Sequence, residues 1–192
     1  VEASGNGREQ LLLTLHNATP TAVAVTVPAG LIATGRTTGE RVVVLRAAEA
    51  SVPAHGAVDI TLPAAALSSK STATTQPFQL TNETEPRLAP LLKYLAGQPD
   101  APRATAQLAV FCLLENVTFA EWLRFLTASA MSLGTDGEAP SKADTLPTPA
   151  QVTQAIDVLG ILREIAPEQT FALKADSDLK LRALRNPWCR AK

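Results

Sequence analysis

The chain has 192 residues, of which 46% are hydrophobic and 18% charged; these values are typical of a folded chain with a sizeable core and exclude a disordered one. A formal net charge of −1 excludes long-range attraction to nucleic acid, and an aromatic content of 4% excludes stacking platforms for single strands or sugars.

The first third of the chain has the residue pattern of β-strands. Apolar and β-branched residues alternate with polar ones in four runs, and turn residues separate the runs. The runs are residues 10–15, 21–27, 41–46 and 57–62. Phe78 and Leu80 add a last strand after a polar loop. Short strands without intervening helices predict an antiparallel, Ig-like β-sandwich.

The period then changes to that of helices. Leucines at positions 88, 91, 92 and 95 lie on one helical face. Residues 103–115 are apolar nearly all round, which predicts the central buried helix. Thr118 and Glu121 form a capping box that opens the next helix, whose buried face should include Trp122.

From residue 134 onward, the sequence predicts a linker followed by further helices. Residues 134–149 contain two glycines and three prolines, the composition of a flexible connection. Thr148 and Gln151 form a second capping box, with Pro149 at the first helical position. Asp176 is placed to cap a last short helix.

These elements predict an α+β chain whose strands and helices are segregated along the sequence. The predicted parts are a β-sandwich domain at 1–82, a helical segment at 83–133 packed on it, a linker at 134–149, and a C-terminal helical tail at 150–192.

Groups able to carry chemistry are few and scattered. His16 and His55 stand beside turns, and neither has a local acidic partner or further metal ligands. Together with Glu115 and Glu121, they are the groups from which an active site would have to be assembled. We therefore predict a protein that is not an enzyme and that has no metal or cofactor.

Two kinds of loop motif have simpler interpretations. Gly35 and Gly39 flank a loop without the lysine and following helix of a phosphate site, so it reads as a turn. Three glycosylation sequons, at Asn17, Asn82 and Asn116, are interpreted as coincidental in a bacterial protein.

Several features favour export. The sequence begins Val-Glu-Ala-Ser, which we interpret as a mature terminus after removal of a signal peptide. Six lysines against eleven arginines, with abundant alanine, indicate a GC-rich bacterial source and a periplasmic or extracellular location.

The chain has two cysteines, Cys112 and Cys189. Either they form a disulfide that ties the tail to the helical part, or Cys112 is a buried thiol.

A family resemblance covers about residues 25–115. The motifs Val27-Pro-Ala-Gly30, Ser51-Val-Pro-Ala-His-Gly56 and Gln107-Leu-Ala-Val-Phe111 resemble uncharacterised secreted bacterial β-sandwich modules. A similar glutamine motif occurs in thioester domains of surface adhesins, in which the glutamine bonds to a cysteine. Here Phe111 replaces the family's Trp, and no cysteine stands at 64–67. Because of these departures from the family pattern, we expect no thioester and a structural role for Gln107.

The function predicted from these features is interaction. A non-catalytic accessory subunit of an extracytoplasmic assembly of proteins fits best, a ligand-binding or adhesive cell-surface module is the alternative, and an enzyme comes third. Residues 174–192 carry six basic and two acidic residues. Lys180, Arg182, Arg185 and Trp188 would dock this tail on a protein partner or on an anionic membrane surface.

Overall fold

A computed structural model of the chain describes residues 1–71, 75–132 and 149–173. Eight strands precede the helices along the sequence, and their pairing is antiparallel throughout. The strands are β1 (Glu2–Gly5), β2 (Gln10–His16), β3 (Val23–Val27), β4 (Ile32–Gly35), β5 (Arg41–Val44), β6 (Ala48–Val52), β7 (Ala57–Ala66) and β8 (Gln76–Thr81).

Six of these strands form a closed barrel in the order β1-β2-β7-β5-β4-β8. The α+β class is confirmed, but the predicted Ig-like sandwich is wrong. Closure depends on β1, which pairs with β2 on one side and with β8 on the other. The four residues of β1 include no β-branched or large apolar side chain, so nothing in the sequence indicated a strand that joins both edges of the sheet.

The remaining two strands, β3 and β6, form a separate ribbon. Its inner face carries Val25, Val27 and Val52, which share a buried cluster with Leu15 of β2 and with β7. This cluster can extend past the barrel because β2 and β7 pair over seven positions, whereas β5 joins β7 at only the last three. The ribbon lies against β7 through β6, beside the part of β7 that β5 leaves unpaired.

The helices follow β8. A 3-10 turn, Pro86–Leu88, leads into α1 (Ala89–Ala96), α2 (Arg103–Glu115), α3 (Phe119–Ser132) and α4 (Pro149–Ile165). The predicted central helix is confirmed, since α2 is buried from Thr105 to Cys112. The predicted capping box is also present: Thr118 Oγ1 accepts a bond of 3.2 Å from the Glu121 N–H, and Glu121 Oε2 accepts one of 2.8 Å from the Thr118 N–H.

The helices do not form a separate unit. Strands β4, β5 and β7 point one set of side chains into the barrel and the other set toward the helices. Ile32, Val43 and Ala65 pack with Leu108 and Phe111 of α2 in the larger buried cluster. Burial on both faces explains why these strands contain continuous apolar runs. Within the described residues, no helix is both long and apolar enough to span a bilayer.

Candidate functional site

Gln107 is the buried polar group that joins helix α2 to the barrel. Its Oε1 accepts a hydrogen bond of 2.8 Å from the Ala66 N–H, and its Nε2 donates one of 2.8 Å to the Ala66 carbonyl. The side chain is 7% exposed and Ala66 is fully buried. The amide therefore replaces a neighbouring strand at the end of β7, which is a structural role.

An aromatic cluster lies at the start of α3. The rings of Trp122 and Phe125 stack with centroids 5.5 Å apart, and Phe111 meets Phe125 edge to face at 4.8 Å. Arg8 lies over the Phe125 ring at 4.3 Å and donates a bond of 2.7 Å to the Ser71 carbonyl. Burial lowers the pKa of Arg8. Arg8 thus anchors the β1–β2 turn to helix α3.

The two histidines considered for catalysis do not converge with Glu115. His16 pairs with Ala57 at the beginning of β7, and His55 lies in the turn just before that strand. Glu115 instead bonds Ser68 and Ser69, which follow the far end of β7. Ten strand residues at about 3.3 Å each separate the two ends by about 30 Å.

The two glutamates have structural partners of their own. Partial burial raises the pKa of Glu115, but bonds from Ser69 and Ser68 outweigh that effect and lower it below its ordinary value. Hydrogen bonds from the Thr118 backbone and hydroxyl lower the pKa of Glu121. Within the described residues, no group of three acidic, histidine or cysteine side chains is placed to hold a metal ion.

The glycine-flanked loop between β4 and β5 is a turn that the side chain of Gln76, from β8, holds by hydrogen bonds. Gln76 Oε1 accepts hydrogen bonds of 3.2 Å from the backbone N–H groups of both Thr37 and Thr38. Its Nε2 donates to the Thr38 hydroxyl and to Glu40. Because Gln76 uses the N–H groups that a phosphate would need, the interpretation as a turn is supported.

Asn17, the asparagine of the first sequon, has a structural role. Its Nδ2 donates to the carbonyl oxygens of Thr21, Val52 and Pro53, at 2.8, 3.3 and 3.0 Å, and the residue is 8% exposed. A buried amide with these bonds is inaccessible for glycosylation in the folded protein. Asn116 instead ends α2 in the left-handed conformation, with φ 51°.

Cys112 lies in the core, 2% exposed, and burial raises the pKa of its thiol to about 12. Cys189 and the predicted partner-binding residues Lys180, Arg182, Arg185 and Trp188 lie outside the described residues. The disulfide and the docking tail therefore stay predictions.

Alkylation under denaturing, non-reducing conditions tests the disulfide. If Cys112 and Cys189 are bonded, the intact mass should show no added alkyl group until a reductant is present. The bond should then stabilise the fold by about 2–4 kcal/mol. Two alkylated thiols without reductant would contradict the pairing.

The structure adds a feature that sequence reasoning missed, an apolar groove beside helix α1. The α1 groove has a volume of about 450 Å³ and lies between the β3–β4 loop, the segment after β8, and the helix. Its lining comprises Pro28, Ala29, Gly30, Leu31, Val43, Thr81, Asn82, Glu83, Thr84, Glu85, Pro86, Leu88, Ala89 and Leu92.

Backbone conformation shapes one wall of this groove. Gly30 has φ +87°, a conformation that side chains disfavour, and an added Cβ would lie 3.2 Å from Leu92 Cδ1. Its N–H donates to the Val44 carbonyl at 2.8 Å. The loop thus closes tightly on α1. Proline and glycine are turn residues, but which residues face the groove depends on closure of the barrel.

The rim of the groove carries carboxylates that are already paired. Glu83 lies 2.5 Å from Arg41, and Glu85 lies 2.8 Å from Arg87. The hydrogen bond with the Arg87 side chain lowers the pKa of Glu85. The groove therefore presents an apolar floor with little unbalanced charge.

Comparisons with protein-family models, curated proteins and solved structures yield no match.

Proposed function

We propose that this chain is a non-catalytic interaction subunit of a larger protein assembly outside the cytoplasm, and that the α1 groove receives an apolar segment of a partner protein. The observation that carries the proposal is the groove itself, about 450 Å³ in volume, with Leu31, Leu88 and Leu92 among its lining residues. Burial of apolar side chains in such a concave surface supplies most of the affinity in protein recognition.

The surroundings of the groove favour a polypeptide over a charged metabolite. The two glutamates at the rim are neutralised by arginines of this chain. A partner therefore needs no charge of its own, only apolar side chains and backbone groups able to meet the polar rim. Contact of the assembly with a membrane surface is compatible with this proposal, and binding of nucleic acid is not part of it.

The placement of the ionisable groups supports interaction over catalysis. Glu115 and Glu121 hold loop and helix ends, and His16 and His55 lie at the other end of β7. The extracytoplasmic location is proposed from the composition of the chain.

The second candidate, a ligand-binding or adhesive module, rests on the size of the same groove. About 450 Å³ falls within the range of small-molecule sites. The two candidates differ in the mass of what occupies the groove, a polypeptide or a small apolar molecule.

Replacing Ala89 by Arg tests the proposed groove. Ala89 is exposed and lines the groove at the beginning of α1, so a guanidinium there would occupy the space of the partner's side chain. We expect at least about a tenfold weaker association with the partner in the native assembly, because one blocked anchor typically costs more than about 1.4 kcal/mol. The measurement is the mass and stoichiometry of the assembly isolated from its source.

Ala96→Arg is the matched control, since Ala96 is exposed on the same helix and does not line the groove. It should leave the assembly intact, and both variants should keep the unfolding temperature of the unmodified chain. Equal retention of the partner by both variants would contradict the proposal.

A further inference from the structure

Strand β3 has an edge that no described strand covers. It pairs with β6 alone, in the register Val23 with Val52 through Val27 with Ala48. Ala24 and Thr26 are exposed on its outer face, and Val23 is 38% exposed. Unpaired N–H and C=O groups along such an edge are a template for another strand.

The edge lacks the features with which proteins usually block such pairing. Residues 17–35 contain no charged residue and no histidine, and within β3 there is no proline and no glycine. The opposite edge of the ribbon differs, because β6 carries Glu49 and lies against β7. Of the two edges of this ribbon, the β3 edge alone is therefore both exposed and free of charge.

The residues of β3 also suit pairing with themselves. Reading outward from Ala24, the neighbours are Val23 and Val25, and then Ala22 and Thr26. In an antiparallel pair centred on Ala24, each Val23 would meet the partner's Val25, a pair of β-branched side chains that stabilises sheets.

We propose that two copies of this chain associate through β3, antiparallel about a two-fold axis at Ala24, to form one four-stranded sheet. A two-stranded ribbon is a marginal sheet, and pairing doubles its strands. An interface about a two-fold axis must be self-complementary, and a charge near the axis would meet its own copy. The β3 strand is nearly palindromic and carries no charge, so it is self-complementary and places no like charges together. Pairing with a different protein would require neither property.

The test is the concentration dependence of the mass of the purified full chain in solution. The unmodified chain should change from one copy to two and then remain at two, because pairing uses up the β3 edge. Ala24→Lys places two cations opposite each other at the axis and should keep the chain monomeric where the unmodified chain is dimeric.

Ser51→Lys is the matched control. Ser51 is the direct partner of Ala24 within the ribbon and is also exposed, but it lies one strand away from the proposed interface. It should dimerise like the unmodified chain. A chain that is monomeric at all concentrations, a dimer unaffected by Ala24→Lys, or open-ended association would each overturn the proposal.

Cysteine cross-linking gives an independent readout. Ala24→Cys would bring two thiols opposite each other across the axis, with Cβ atoms about 4.5 Å apart, so mild oxidation should give a covalent dimer. Ser51→Cys should give no more than the background of the unmodified chain, which carries the same native cysteines. Equal yields from both variants, or no dimer from Ala24→Cys, would contradict the pairing.

Discussion

Replacing Trp122 by Ala should lower the free energy of unfolding by about 3–5 kcal/mol, the usual cost of removing a large buried aromatic side chain. Trp122 is 1% exposed, stacks on Phe125, and contacts Phe111 of α2 edge to face at 6.3 Å. Truncation would leave a cavity between α2 and α3. Phe125, whose ring lies under Arg8, would also lose its stacking partner, the Trp122 ring. Denaturant unfolding of the purified chain measures the effect.

Trp122→Phe is the control for this prediction. Among the described residues, the indole Nε1 of Trp122 has no hydrogen-bond partner, so phenylalanine removes a buried donor while keeping most of the ring volume. We expect a loss below about 1.5 kcal/mol for this variant. A loss below about 1 kcal/mol for Trp122→Ala itself would show that the residue is not a core anchor.

Replacing Gln107 by Leu should destabilise the protein by roughly 2–4 kcal/mol. Leucine fills a similar volume but leaves the N–H and the carbonyl of Ala66 without their bonds, and each buried unpaired group costs about 1–3 kcal/mol. Because these two hydrogen bonds join α2 to β7, protection of the Ala66 amide against hydrogen exchange should fall as well. Unchanged stability would contradict the structural role of Gln107.

Gln107→Glu keeps the acceptor oxygen of the side chain and replaces only the Nε2 donor. The carboxyl group can accept from the Ala66 N–H in either protonation state, but it can donate to the Ala66 carbonyl only when protonated. Burial and that carbonyl raise the pKa of the new carboxyl group in the folded state. Its folded pKa then exceeds its unfolded value, so the variant should be most stable at low pH and lose stability as pH rises through the folded pKa. The unmodified chain provides the reference at each pH.

Runs of apolar and β-branched residues were a sufficient signal for four of the strands. β2, β3, β5 and β7 were all predicted, because each contains such a run. β1 and β6 were missed, because their sequences contain no such run, and β4 was missed as well. These short strands provide the closure and the ribbon, so the prediction of a sandwich followed from the incomplete set.

Pro63 shows a second limit of sequence reasoning. A proline after residue 62 suggested that the strand ends there, since it cannot donate to a ladder. In the structure, β7 continues to Ala66, and Pro63 stands where its pairing with β2 ends and its pairing with β5 begins. The Pro63 carbonyl still accepts a bond of 2.9 Å from the Leu45 N–H. The missing donor is tolerated at this change of partners.

Helices were better predicted than sites. The 3.6-residue period and the capping box located α1, α2 and the beginning of α3, because these signals are local. The buried cation of Arg8 and the α1 groove depend on contacts between segments that are distant in the sequence. No local pattern could indicate that these segments meet.

The most direct test of the interaction role is photo-cross-linking from position 89 in the native source. A photoreactive side chain in place of Ala89 projects into the α1 groove, and the same side chain at Ala96 lies outside it. The proposed function predicts a cross-link from position 89 to one discrete protein and none from position 96. A small-molecule adduct, equal adducts from both positions, or none from position 89 would contradict it.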